Sequence, residues 1–186
     1  LTVDHIALGL SQILFGEKLE LPPQTASIDD SLFEGLEDLY LINDTALIRV
    51  TVSNDMLHLH PIGQDAVNAV YPSPMQDMLP KYNTKTDQMI IALTEGDFET
   101  AAEFWSTRPG SDPVEMLRQW WSSYDSLGQV RNHVVLGTKM GDGAHTYCRV
   151  NFENGTINLM FGWMRGFCQG AMDGKRLVKP MHPVAK

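Results

Sequence analysis

The run from Ala144 to Met172, AHTYCRVNFENGTINLMFGWMRGFCQGAM, constrains the fold more than any other stretch. Its period is two, and Asn154-Gly155 is a strong hairpin signal because a tight primed turn needs positive φ at both central residues. Arg165-Gly166 can turn a second hairpin. The run therefore predicts three consecutive antiparallel strands. With Asn154-Gly155 at the turn, Phe152 faces Ile157, Val150 faces Leu159, Cys148 faces Phe161 and Thr146 faces Trp163. One sheet face is then apolar, while the other carries Tyr147, Arg149, Asn151 and Asn158. The apolar face must be covered, and the helical segments upstream are the natural cover.

Earlier in the chain, Val3, Ile6, Ala7, Leu10, Ile13 and Leu14 recur at helical spacing, predicting a helix from Thr2 to Phe15 that stops at Gly16. Pro22-Pro23 makes Glu17 to Ser27 extended, and Asp29-Asp30-Ser31 can cap a short helix through Leu36. From Leu39 the period changes to two. Leu39–Ile42, Ala46–Val52 and Met56–Pro61 read as a β-meander, and Ala66–Tyr71 as a further strand. The proline-rich stretch Tyr71–Pro80 marks a boundary. Beyond it come helices at Thr86–Thr94, at Phe98–Trp105 behind Asp97, and from Pro113 to about Leu127 behind Asp112. Strands at Asn132–Lys139 and Leu177–Met181 flank the hairpins. The fold class is α+β: a small antiparallel β-meander domain followed by a cone of helices packed on a curved antiparallel sheet.

The 186 residues can bury an ample core, and a net charge of -9 argues against a nucleic-acid backbone or an anionic membrane as the main partner. No stretch approaches the roughly 18 apolar residues of a membrane span, so membrane insertion is not expected. The short basic run Lys175, Arg176 and Lys179 reads as a solvated terminal strand. Cys148 and Cys168 fall on one buried face, separated by the middle strand. Two strand spacings are about 9.5 Å, beyond the roughly 7 Å Cα separation a disulfide spans, so both are expected as reduced, inert thiols.

Catalytic motifs are absent from the sequence. No serine has Lys three residues on, and there is no G-x-S-x-G, glycine-rich phosphate loop, H-E-x-x-H or C-x-x-C. His58 and His60 share a strand face, but no third ligand is evident nearby, so neither a metal nor any other cofactor is expected. Candidate ligand-binding residues are Trp120, Trp121, Tyr124, Asp125, His133 and Trp163; the aromatic groups are able to line a cone pocket, although core anchoring is the simpler reading for them. Asp125 and His133, where the long helix hands over to the sheet, form the acid–base pair to test.

Two resemblances extend this reading. Ile13-Leu14-Phe15-Gly16-Glu17-Lys18-Leu19-Glu20-Leu21-Pro22 and Leu57-His58-Leu59-His60-Pro61-Ile62-Gly63-Gln64 resemble phrases in the C-terminal extension of serine hydrolases related to class C β-lactamases and penicillin-binding proteins. Asp38 stands two residues before Tyr40, where that family usually has glycine. Leu93-Thr94-Glu95-Gly96-Asp97-Phe98-Glu99-Thr100-Ala101-Ala102 resembles the helix–GD–helix phrase of nuclear-transport-factor-2-like and cystatin-like domains. The resemblances imply residues 1–16 as the last helix of an upstream catalytic domain, 17–76 as the β-meander domain and 77–186 as the cone. The start at Leu1 fits a chain cut from a longer product. They further imply a catalytic serine-hydrolase domain of the same polypeptide as partner, a homo-oligomer as a further possibility, and a periplasmic or cell-envelope location.

Three functional readings follow. The leading one is a non-catalytic accessory region of a β-lactamase-like serine hydrolase, packing on or modulating the catalytic domain. The second is a stand-alone small-molecule-binding protein that uses the cone pocket. The third is an isomerase- or dehydratase-like enzyme working through Asp125 or His133.

Overall fold

The computed structural model describes residues 35–54, 56–106 and 110–181. The expected helix Thr2–Phe15, the extended Glu17–Ser27 and the capped turn at Asp29–Ser31 lie outside the described residues, as does Arg108-Pro109.

The fold is α+β, as the sequence predicts. Strands β1 (Asp38–Asn43), β2 (Ala46–Ser53) and β3 (Met56–Ile62) form the meander. Helix α1 (Gln64–Val70) follows, then α2 (Pro80–Glu95), α3 (Phe98–Glu103) and α4 (Pro113–Ser122). Strands β4 (Val130–Met140), β5 (Ala144–Phe152), β6 (Thr156–Met164) and β7 (Phe167–Asp173) make the second sheet, in that order. The last strand, β8 (Lys179–Met181), returns to the first sheet and pairs with β3, giving the order β1-β2-β3-β8.

Local chemistry accounts for the element ends. Asp97 caps α3 by accepting from the Thr100 amide, and Asp112 caps α4 by accepting from Val114 and Glu115, with Pro113 at the first helical position. Helix α4 stops at Ser122, short of the expected Leu127; a single 3-10 turn at Asp125–Leu127 completes the descent to β4. Helix α2 begins at Pro80 rather than Thr86, since proline is favoured at a helix start. Ala66–Tyr71, expected as a strand, is helix: Ala66, Val67 and Val70 are its buried stripe. Those spacings fit a helical turn as well as a strand, and packing on the second sheet decides for the helix.

The hairpins behave differently from each other. Arg165 and Gly166 both have positive φ, 53° and 90°, and Met164 pairs with Phe167 across that turn as expected. The Asn154-Gly155 turn is longer. Asn151 pairs with Thr156, Val150 with Ile157, Cys148 with Leu159, and Thr146 with Phe161, a register two residues from the expected one. The cause is tertiary: the Asn154 amide donates to the Leu127 carbonyl and the Glu153 amide to Gln129, which holds the loop against the α4–β4 connection. A slip of two preserves the pleat, so each side chain keeps its expected face.

The inner face of the second sheet packs on α2–α4. Trp163, Phe161, Leu159, Cys148, Met89, Ile90, Leu93 and Leu117 are all buried there. Each fully buried large apolar side chain contributes roughly 1.5–3 kcal/mol. The outer face is partly covered by α1 and the strand-to-strand connection after β7, through Val67, Leu136, Tyr147 and Leu177. A join at the free edge of β4 fixes this second layer. The Gly63 amide donates to the Leu136 carbonyl at 2.9 Å. The Gln64 side chain accepts from the Thr138 amide at 2.9 Å and donates to the Thr138 carbonyl at 2.8 Å, standing in for the peptide of a neighbouring strand. Asn83 on α2 donates to the same Gln64 oxygen, and Thr138 donates to Asn83. Three layers result: helices, the second sheet, and α1 with the first sheet.

Candidate functional site

The cone interior is filled. Trp163 is 2% exposed and packs on Tyr82 at 5.7 Å between ring centroids. Trp120 meets Phe161 and Tyr124 edge-on, at 6.4 and 5.9 Å. Of the aromatic candidates, Trp121 and Tyr124 reach open space, lining a rim pocket of about 290 Å³ with Thr94, Asp125, Val130 and Phe152. The Tyr124 hydroxyl donates to Asp173, and burial, with that carboxylate, pushes its pKa up. Asp125 lines the rim pocket and is exposed. His133 does not join it: its ring bonds the Asp87 carboxylate on α2 at 2.7 Å. The structure therefore does not bring the expected acid–base pair together.

Cys148 and Cys168 are free and buried, and burial pushes both thiols up to about 12. At that pKa the thiolate needed of a nucleophile is scarce near neutral pH. Among the described residues, no group of three or more metal-ligating side chains comes together.

The larger cavity lies elsewhere, between the two sheets, with a volume of about 580 Å³. Its floor is the polar outer face of the hairpins: Arg149 and Asn151 on β5, Thr156 and Asn158 on β6. Its wall is the first sheet, with Arg49 and Thr51 on β2 and His60 on β3, Arg49 pairing with His60 across the two strands. Arg176, on the connection before β8, completes the polar lining, and Leu136 and Leu177 add apolar surface to it.

Electrostatics single out this cleft. The chain carries -9 overall, yet among the described residues the cleft lining holds three arginines, a histidine and no carboxylate. The ion pairs among the described residues, Arg118–Glu115, His133–Asp87 and His145–Asp142, involve none of these arginines. The Arg149 Nε donates to the neutral side-chain amide oxygen Oδ1 of Asn158 at 3.4 Å. His60 registers the field. Burial lowers its pKa, and the charges of His58, Arg49, Arg176 and Arg149 lower it further. Its Nε2 shares a hydrogen bond with the Thr51 hydroxyl at 3.1 Å, and the two histidine rings lie 6.5 Å apart.

Sequence reasoning placed Arg149, Asn151 and Asn158 on one outer face and His58 with His60 on another. It did not bring the faces together, and it read Arg176 as part of a solvated strand. The available signal was alternation: Arg49 and Thr51 sit two apart on β2, as His58 and His60 do on β3. Compared with known proteins, the chain matches no family model, no curated protein and no solved structure.

Proposed function

We propose that this chain is a small-molecule-binding accessory region whose site is the cleft between the two sheets. The observation that carries this reading is the cleft itself, about 580 Å³ of space with convergent cationic and amide groups beside the apolar side chains of Leu136 and Leu177. Its size lies within the roughly 300–1,000 Å³ of small-molecule sites. The expected alternative, a pocket inside the cone, has weaker support, because Trp163, Phe161 and Leu159 occupy that interior. A non-catalytic role is favoured by what meets in the cleft: guanidinium, imidazole, amide and hydroxyl groups, whose one hydroxyl–imidazole contact, Thr51 with His60, has no carboxylate among the described lining residues to orient and charge the imidazole. The test is amide-resolved NMR with mixtures of neutral and charged small molecules. Saturable shifts clustered at Arg49, Thr51, His60, Arg149 and Asn158 are expected. Shifts confined to Trp121, Tyr124 and Asp125, or none at all, would overturn the assignment.

A second reading, attachment to a β-lactamase-like catalytic domain in the cell envelope, gains support from β1. Every residue of that edge strand is exposed, including Leu39, Tyr40, Ile42 and Leu41, the last at 77%. An apolar edge strand of this kind is ordinarily covered. The intact mass of the native gene product tests it: a product heavier than 20.8 kDa by a whole domain supports attachment, and one of that mass removes it.

A further inference from the structure

We propose that the cleft binds a small, hydroxyl-bearing organic anion of charge two or more, a phosphate monoester or a polycarboxylate, gripped by Arg49, Arg149 and Arg176. The proposal rests on the cleft being the binding site and adds the chemistry of its ligand.

Three chain segments far apart in sequence, β2, β5 and the connection before β8, each deliver a guanidinium to one cleft. Guanidinium groups stay charged at every accessible pH, so their mutual repulsion cannot be relieved by deprotonation. Among the described residues, no carboxylate lines the cleft to neutralise them. A bound anion supplies what the protein does not. The planar fork of arginine matches carboxylate and phosphate oxygens in pairs, and three forks call for more than one negative charge. Among the described residues the lining holds no Trp, Tyr or Phe, so none of them offers a nucleobase a ring to stack on. Asn151, Asn158, Thr51 and Thr156 instead offer donors and acceptors together, the pattern that recognises hydroxyl groups. The volume also exceeds what a bare phosphate or carboxylate ion fills, which points to an organic body behind the charged group.

His60 adds a proton-linked readout. Charge from His58, Arg49, Arg176 and Arg149 disfavours its protonated form. An anion among the arginines offsets that field, raises the His60 pKa and draws in a proton, so affinity increases as pH falls towards the bound-state value.

Calorimetric titration of the full chain with glucose 6-phosphate, citrate and pyrophosphate, with glucose as the neutral control, tests the proposal. Saturable binding is expected for glucose 6-phosphate or citrate, weakening as salt is added, and none for glucose. The stronger of the two identifies the charged group as phosphate or carboxylate. Arg149→Gln and Arg49→Gln are each expected to weaken binding about tenfold or more, the loss typical of a charge-assisted hydrogen bond. Both residues are exposed, so matching thermal melts establish that the variants fold. Arg118→Gln, on α4 beside Glu115, should leave affinity unchanged. No saturable heat with glucose 6-phosphate or citrate, even if pyrophosphate binds, or unchanged affinity in both arginine variants, overturns the proposal. If neutral compounds alone shift the cleft amides in the NMR screen, the anion chemistry fails while the binding-site reading stands; if nothing does, both fail.

Discussion

Replacing Gln64 should loosen the whole cleft, because one side-chain amide joins the layer that forms its wall to the sheet that forms its floor. The Gln64 carbonyl oxygen accepts from the Thr138 amide and from Asn83; its nitrogen donates to the Thr138 carbonyl and to Asn68. In Gln64→Ala all four bonds are lost. Asn68 and Asn83 are partly exposed and can turn to water, but Thr138 is 0% exposed and its amide and carbonyl cannot. Each buried backbone group left without a partner costs about 1–3 kcal/mol, so the pair sets a range of about 2–6 kcal/mol. Water entering the vacated volume recovers part of this, giving an expected loss of about 3 kcal/mol. That is a large share of a typical domain stability of about 5–15 kcal/mol. Gln64→Glu sharpens the test. It keeps an acceptor for Thr138 but turns a carboxylate oxygen towards the Thr138 carbonyl, so it should be at least as damaging near neutral pH and recover as acid protonates the new side chain. Urea denaturation measures both variants, and an unchanged slope would show that the folded state remains compact. A Gln64→Ala midpoint equivalent to a change within about 0.5 kcal/mol, the range of ordinary surface substitutions, would refute the reasoning.

Other outcomes follow from the same structure. Gly137→Ala should cost about 1–3 kcal/mol, because φ there is +133° and a new Cβ would lie 2.6 Å from Val67 Cγ2; adding Val67→Ala should relieve the contact but leave the backbone strain. Cys148 and Cys168, with thiols pushed up to about 12, should resist an aromatic disulfide reagent in the folded chain and both react in urea. His60 has a folded-state pKa below its ordinary 6.5, so the unfolded chain takes up a proton first as pH falls. Its contribution to stability is therefore complete above about 6.5 and lost as pH falls through the folded-state value, and His60→Gln should flatten that part of the urea midpoint against pH.

Sequence patterns reached the elements whose signals are local. Asp97 and Asp112 announced their helices, Arg165-Gly166 its turn, and alternation from Thr146 to Trp163 the two faces of the sheet. Legibility ended where distant segments decide. The register at Asn154-Gly155 depends on the carbonyls of Leu127 and Gln129, which no hairpin rule includes. Ala66 to Val70 carries a pattern too short to separate helix from strand, and the β4 edge settles it through Gly63 and Gln64. Of the aromatic residues chosen as pocket candidates, Trp163 is buried in the core and Trp120 packs among other rings, while Trp121 and Tyr124 line the rim pocket. The cleft was the least legible feature. Arg49, Arg149 and Arg176 are unremarkable singly, and acquire meaning only when β8 returns to β3 and α1 lays the first sheet beside the outer face of the second.

The most direct test of the central claim is an NMR pH titration of the His60 ring, without and with saturating glucose 6-phosphate or citrate. The account requires a midpoint below 6.5 in the free protein, displaced by burial and by His58, Arg49, Arg176 and Arg149, and a rise in that midpoint when the anion binds. A His60 midpoint at its ordinary value, or one indifferent to both anions, would contradict the assignment of the cleft as an anion site.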